Sequence, residues 1–151
     1  MNNSTKIISD LNSFLSSLDR KNKTIVFTNG CFDLLHQGHL HLLNEAKKLG
    51  DILIVAVNND ASVKQLKGET RPIENLETRL QHLSELKEVD YVISFSEETP
   101  IHLIEQIQPT VLVKGGDYKK EDVVGNKIAE QVVIVPLLAG FSTTKIIQSK
   151  Q

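Results

Sequence analysis

The chain holds a single cysteine, Cys31, which excludes an intrachain disulfide and any zinc site built on several cysteines. No apolar run approaches the ~18 residues needed to cross a bilayer. The segment Met1–Asp10 has no basic region leading into an apolar core, so no secretory signal is expected. An excess of positive charge is also missing. Seventeen basic and nineteen acidic residues give a net charge of −2, which argues against broad nucleic-acid binding, since that needs a basic footprint. Local positive patches around a nucleotide remain compatible with this balance. Internal repeats and low-complexity linkers are lacking too. The remaining expectation is a cytoplasmic protein that does not engage membranes. At 151 residues it can form one domain that buries roughly 70% of its unfolded surface, with no disulfide or structural metal required.

Beyond the first twenty-odd residues, short β-branched runs alternate with amphipathic helix patterns, the signature of an α/β fold. Strands are expected at Thr24–Thr28, Asp51–Asn58, Tyr91–Phe95, Thr110–Lys114 and Val132–Pro136. Their nearly continuous apolar character predicts a Rossmann-like open parallel sheet with helices on both faces. Residues 1–22 read as an N-terminal helical extension, with Ile7, Leu11, Phe14, Leu15 and Leu18 forming one apolar stripe, and residues 23–151 as the main domain. Further helices are predicted over Gly38–Leu49 (with Gly50 as a left-handed cap), Asn75–Lys87, from Thr99-Pro100 onward, over Asp122–Glu130 and over Thr143–Ser149. In such a sheet the ligand sits outside the carboxyl ends of the strands. The distinctive segments Asn29–His39, Asn58–Pro72, Gly115–Tyr118 and Leu137–Thr144 all fall there.

Asn29-Gly30-Cys31-Phe32-Asp33-Leu34-Leu35-His36-Gln37-Gly38-His39 leaves the first strand and enters a helix. Two histidines around a glycine at a helix start can face one small volume. Gly38 lets backbone approach a phosphate, the helix start supplies free amides, and imidazoles add donors where charge builds on a phosphoryl group. A zinc pair is the alternative, but His41, His82 and His102 lie on helix patterns and no third ligand has a convincing spacing. A purely structural turn is the other alternative. The glycines make neither a dinucleotide fingerprint nor a Walker loop. Near the end, Ser142, Thr143 and Thr144 can cap a helix and bind an anion beside its unpaired amides. Between these segments, Lys64, Lys67 and Arg71 gather in an expected mobile loop that can close over a triphosphate, and Arg79 on the next helix is a candidate for the same use or for a surface ion pair.

Gly30 to His39 resembles the signature of the cytidylyltransferase-like nucleotidyltransferases, and Gly140 to Ile147 resembles their second signature. The resemblance implies that His36 and His39, with Lys67 and Arg71, stabilise the transition state of nucleotidyl transfer. It further implies that Thr28, Asn29, Gly30, Phe32, Gly38, Lys64, Ser142, Thr143 and Thr144 surround the nucleoside triphosphate. Val113-Lys114-Gly115-Gly116-Asp117-Tyr118, Phe95 to Pro100 and Val124-Gly125-Asn126 resemble a narrower branch, the D-glycero-beta-D-manno-heptose 1-phosphate adenylyltransferases. In that branch the activity is a separate enzyme or the carboxyl-terminal half of a protein whose first half is a sugar kinase. Ala129 to Val132 lacks the glycine pair of that branch, and Phe141 is bulkier than its counterpart. By this resemblance Asp33, Lys114, Gly116, Asp117 and Tyr118 meet the sugar phosphate. ATP is the co-substrate, and Mg²⁺ rides on the triphosphate with no dedicated protein ligand. A homodimer and a separate upstream sugar kinase are the expected partners. The rival readings are a cytidylyltransferase for glycerol 3-phosphate and a nucleotide-binding regulatory domain without turnover.

Overall fold

The computed structural model describes residues 3–136. The expected last helix and the Ser142, Thr143 and Thr144 cluster lie outside the described residues.

Five parallel strands form one sheet in the order β3-β2-β1-β4-β5. They span Ile25–Gly30 (β1), Ile52–Asn58 (β2), Tyr91–Phe95 (β3), Val111–Gly115 (β4) and Gln131–Val135 (β5). Each lies within a residue or two of its expected position, because β-branched runs buried on both faces signal themselves strongly. Alternate residues feed two apolar layers. Val26, Val55, Val57 and Val113 pack with Leu42, Leu43, Ala46 and Leu83 of α2 (Gln37–Lys47) and α4 (Leu76–Ser84). Ile25, Phe27, Ile54 and Leu112 pack on the other face with Leu103, Ile104 and Ile107 of α5 (Ile101–Ile107). The sheet is thus covered on both sides, as expected for a doubly wound fold.

The N-terminal stripe lies on this second face. Ile8, Leu11, Phe14, Leu15 and Leu18 pack against its core, and the Phe14 and Tyr91 rings meet edge to face at 4.7 Å. Helix α1 (Leu11–Ser17) starts where Asp10 accepts from the Asn12 amide. Ile7 lies outside the helix and forms a parallel bridge to Val92. Arg20 then ties the chain to the end of α5 through the Ile107 and Gln108 carbonyls.

Three local expectations are corrected. The basic segment after β2 is not all loop: Asn59 caps a helix, α3 (Asp60–Lys67), by accepting from the Ser62 amide. Asp60 stands in its first turn and Lys64 and Lys67 in its last, as the helix dipole favours. Asp122–Glu130 forms no helix. Only Lys120–Asp122 makes a 3-10 turn, and Gly125 adopts φ +88, where a side chain would collide with Ile104 at 2.9 Å. Gly50 is no left-handed cap either. It is needed because a Cβ there would lie 2.8 Å from the Thr24 carbonyl and 2.6 Å from the Val26 side chain.

Strand β1 pairs with β2 as far as Gly30, but its pairing with β4 ends at Thr28 and Val113. Beyond that point the two strands diverge, and a crevice opens where the strand order reverses. Thr28 is buried there, its hydroxyl donating to the Val113 carbonyl at 2.8 Å. Around this edge Arg79 serves neither triphosphate nor surface, which corrects the expectation for it. It is 0% exposed. Its Nη1 donates to the carbonyls of Cys31 and Asn58, each at 2.7 Å, its Nε to Glu74 O at 3.0 Å and its Nη2 to Asp60 Oδ1 at 2.7 Å. One guanidinium therefore joins the ends of β1 and β2, the start of α3 and the entry to α4.

Replacing Arg79 with Met keeps bulk but strands those buried carbonyls, each worth about 1–3 kcal/mol when unsatisfied. Arg79→Met is expected to lose at least about 3 kcal/mol of stability in urea unfolding, whereas Arg20→Met at the end of α5 should lose much less.

Candidate functional site

The turn after β1 is held in an unusual backbone shape. Phe32 and Leu34 take positive φ (50° and 57°) although neither is glycine. Such strain persists only where surrounding contacts impose it, and it gathers at functional sites. Here the contacts come from the segment before α4. Asp33, 2% exposed, accepts from the amides of Ile73 (2.7 Å) and Glu74 (2.9 Å) and from Arg71 Nε (3.4 Å). The Glu74 carboxylate in return accepts from the Leu34 amide at 3.1 Å. Phe32 turns into the core, its ring 3.1 Å from where a Cβ on Gly30 would stand. A side chain at Gly30 would crowd this ring.

His36 and His39 follow as the first turn of α2. His36 is the N-cap, its Nδ1 accepting from the Gly38 amide at 3.0 Å, and His39 Nδ1 accepts from the His36 amide at 3.3 Å. The two rings stack with centroids 3.8 Å apart, and Phe32 lies against His39 at 5.4 Å. An Nδ1 that accepts an N–H carries no proton, so in both neutral rings the proton sits on Nε2, leaving that nitrogen as the donor. Burial lowers the His36 pKa. The His39 pKa is lowered to about 3, first by burial, then by His36 and Lys67, against a smaller opposing pull from Asp33. Near neutral pH this is a pair of uncharged donors.

Beside them a cavity of about 360 Å³ opens at the crevice. Its walls come from Asn29, Gly30 and Cys31 after β1, Asn58 at the end of β2, and Leu66 and Lys67 of α3. Glu98, Thr99 and Pro100 before α5, Lys114 and Tyr118 around the end of β4, and Asp122, Val123 and Val124 complete it. Lys114 is half-buried, and burial pulls its pKa down. Its ammonium lies 5.0 Å from the centre of the Tyr118 ring. Burial likewise pushes the Cys31 thiol up, so it stays protonated. Leu66, Tyr118 and Val124 expose apolar surface at the mouth.

The site residues expected from the sequence thus divide. Asn29, Gly30, Lys67, Lys114 and Tyr118 share the cavity, and His36, His39 and Gly38 stand in the neighbouring cap. Arg71 and Asp33 pair with each other in the clamp beneath the turn. Thr28 and Phe32 are buried in the sheet and core. Lys64 and Asp117 are exposed, and Gly116, at φ +115, returns its amide to the Val135 carbonyl. Asn58 and Val124 entered the sequence reading only within longer segments, and neither they nor Val123 were named as site residues. For Asn58 the signal was available, since a polar residue closing an apolar strand at the ligand-binding edge is a candidate.

Residues 27–149 match the pattern of the family described as cytidylyltransferase-like. The chain is 53% identical over 147 residues to the bifunctional protein HldE of Helicobacter hepaticus, covering 97% of this chain and 30% of that protein. The HldE of Aliarcobacter butzleri is 49% identical over 150 residues, covering 99% and 32%. The chain therefore spans about a third of the length of these relatives. Among solved structures, the lipopolysaccharide core biosynthesis protein from Thermoplasma volcanium GSS1 superposes with a TM-score of 0.66 at 33% identity, covering 77% of this chain and 98% of that one.

Depressed histidine pKa values set a sign for acid stability. With a folded pKa of about 3 for His39, the unfolded chain binds more protons throughout the window up to its ordinary value near 6.5. Stability should therefore fall as pH drops below about 6.5 and keep falling toward 3. His39→Asn retains an acceptor for the cap. It should remove up to about 1.4 kcal/mol of that loss for each pH unit, read from urea unfolding between pH 4 and 7. Equal slopes in the two proteins would contradict the assignment of a buried neutral imidazole.

Proposed function

This chain belongs to the cytidylyltransferase-like family, and from that premise we propose that it transfers AMP from ATP to D-glycero-beta-D-manno-heptose 1-phosphate, giving ADP-heptose and pyrophosphate. The observation that carries the reading is the stacked pair of neutral histidines at the start of α2, beside a cavity lined by Lys67 and Lys114. A sugar-phosphate acceptor also fits the name of the Thermoplasma relative, since an activated sugar is what assembly of a lipopolysaccharide core consumes.

In this reaction an oxygen of the sugar phosphate forms a bond to the α-phosphorus of ATP. The bond from that phosphorus to the bridging oxygen breaks, and pyrophosphate leaves with the electron pair. The attacking phosphate is already ionised, so no strong general base is required. Catalysis then rests on positioning and on meeting the charge that grows on the phosphoryl oxygens. Two Nε2–H donors fixed by their own Nδ1 hydrogen bonds are suited to that task, because they need no reorganisation when the charge appears. Lys67 balances charge on the triphosphate, with Lys64 near the same helix end and Ser142, Thr143 and Thr144 as further phosphate contacts. Arg71 acts from its place beside Asp33. Lys114, Gly116, Asp117 and Tyr118 are assigned to the acceptor end.

Among the described residues no group of three or more His, Cys, Asp or Glu side chains could hold a metal ion. Mg²⁺ is assigned to ATP, as part of the substrate, because the triphosphate oxygens themselves hold it. Among the described residues no helix is long and apolar enough to cross a membrane. The proposed location is the cytoplasm. A separate sugar kinase would supply the sugar 1-phosphate, and the working assembly is proposed to be a homodimer.

His39→Ala should lower kcat about 10²-fold or more, the scale of one lost transition-state donor, with a much smaller change in ATP affinity. His39→Asn separates that loss from loss of the cap. The reaction itself is checked by pyrophosphate release from ATP or CTP with heptose 1-phosphate or glycerol 3-phosphate. ATP with heptose 1-phosphate should exceed every other pair. A preference for CTP and glycerol 3-phosphate would overturn the substrates, and an unchanged kcat in both His39 variants would overturn the mechanism.

A further inference from the structure

The cavity between β1, β2 and β4 contains a polar group that the fold leaves unused. Asn58, the last residue of β2, is 3% exposed and lines the cavity. Its Oδ1 accepts from the Cys31 thiol, with Sγ 3.9 Å away, which orients the amide. The burial-raised pKa of Cys31 keeps that thiol a donor. Asn58 Nδ2 is then buried with no partner among the described residues. The main chain holds the side chain in place, because the Asn58 carbonyl accepts from Arg79 and its strand is paired on both sides. A buried donor left unpaired is uncommon and marks a missing partner.

That partner must be an acceptor, and the charges nearby indicate which kind. Lys114, half-buried, lines the same cavity, while Lys67 and the carboxylates Glu98 and Asp122 occupy exposed positions around it. Cations on the wall with an amide donor inside suit an anionic oxygen. We propose that Asn58 Nδ2 donates a hydrogen bond to a phosphate oxygen of the bound substrate, which makes Asn58 a substrate-binding residue alongside the lysines. This rests on the reading that phosphorylated substrates occupy this cavity. ATP and the sugar phosphate share the required chemistry, so the experiment has an arm for each.

Asn58→Asp is the informative variant. It has nearly the same shape and can still accept from Cys31, but it cannot donate and it adds a negative charge. Calorimetric titration of the full chain with ATP, with heptose 1-phosphate and with inorganic pyrophosphate should show about tenfold or greater weakening for the ligand whose phosphate meets Asn58. The buried carboxylate should lower the melting temperature somewhat, so affinities are read well below the transition. Unchanged affinity for all three ligands would overturn the proposal, because a purely structural amide predicts that result. Should the variant fail to fold, the side-chain amide resonance of Asn58 in ¹⁵N-labelled parent protein provides the reading. It should move downfield, and its hydrogens should exchange more slowly, on saturation with one of these ligands. A resonance that none of them moves, or one already protected without ligand because the chain itself supplies the partner, would overturn it. A response to pyrophosphate without turnover of any substrate pair would remove the proposed reaction and leave this inference standing.

Discussion

The ligand-binding edge depends on one buried cation. Arg79 takes a full positive charge out of water, which is expensive unless its donors are satisfied. Every nitrogen of its guanidinium has an acceptor: carbonyls from three separate segments and the Asp60 carboxylate. Because the guanidinium is rigid and planar, these bonds also fix distances among the segments they join. The turn after β1, the end of β2 and the entries to α3 and α4 are therefore placed relative to one another before any ligand arrives. A lysine could supply the charge but not the fork.

Upon this frame a second layer of polar contacts shapes the histidine turn. Asp33 and Glu74 exchange hydrogen bonds with the opposite segment and hold Phe32 and Leu34 in left-handed backbone. The turn thereby delivers His36 to the N-cap of α2 and His39 to the ring stacked on it. Neutrality of the pair is a product of this placement, since burial penalises a proton on both rings and the neighbouring His36 and Lys67 further penalise one on His39. In the proposed reaction, negative charge would be met by fixed dipoles from the histidines and by full charges from the lysines, with each role given to different side chains.

How much of this could be read from the sequence depended on whether the signal was local. The five strands could be located because each is a short apolar run with its own boundaries, and the histidine turn because its residue types and its place after a strand are contiguous. Helix α3 was hidden by its lysines, which suggested a solvated loop although Asn59 and Asp60 are ordinary helix-start residues. The segment near Gly125 was misread because its conformation is set by Ile104 and Leu112, which lie far away in sequence. Arg79 was the largest miss. An arginine on an amphipathic pattern is usually at the surface, and only three-dimensional convergence of carbonyls from Cys31, Asn58 and Glu74 makes its burial tolerable. Asp33 shows a structural use that its residue type did not signal, since it accepts from Arg71, Ile73 and Glu74 in the segment before α4.

The segment ahead of α1 touches the sheet at β3, which has β2 on its other side. The Ile8 amide donates to the Val92 carbonyl at 2.8 Å and Ile7 bridges Val92, while Lys6 reaches the Leu86 carbonyl. An outer strand with free main-chain groups is a template on which another chain can add itself, and natural sheets protect such borders. Here the shield is a few residues long, held by these bonds and by the apolar stripe of α1 that follows it. A short stretch of chain thus covers main-chain groups of the outermost strand, on the far side of β2 from β1 and its histidine turn. Loss of that cover would open the outer strand to pairing with another chain without touching the turn itself.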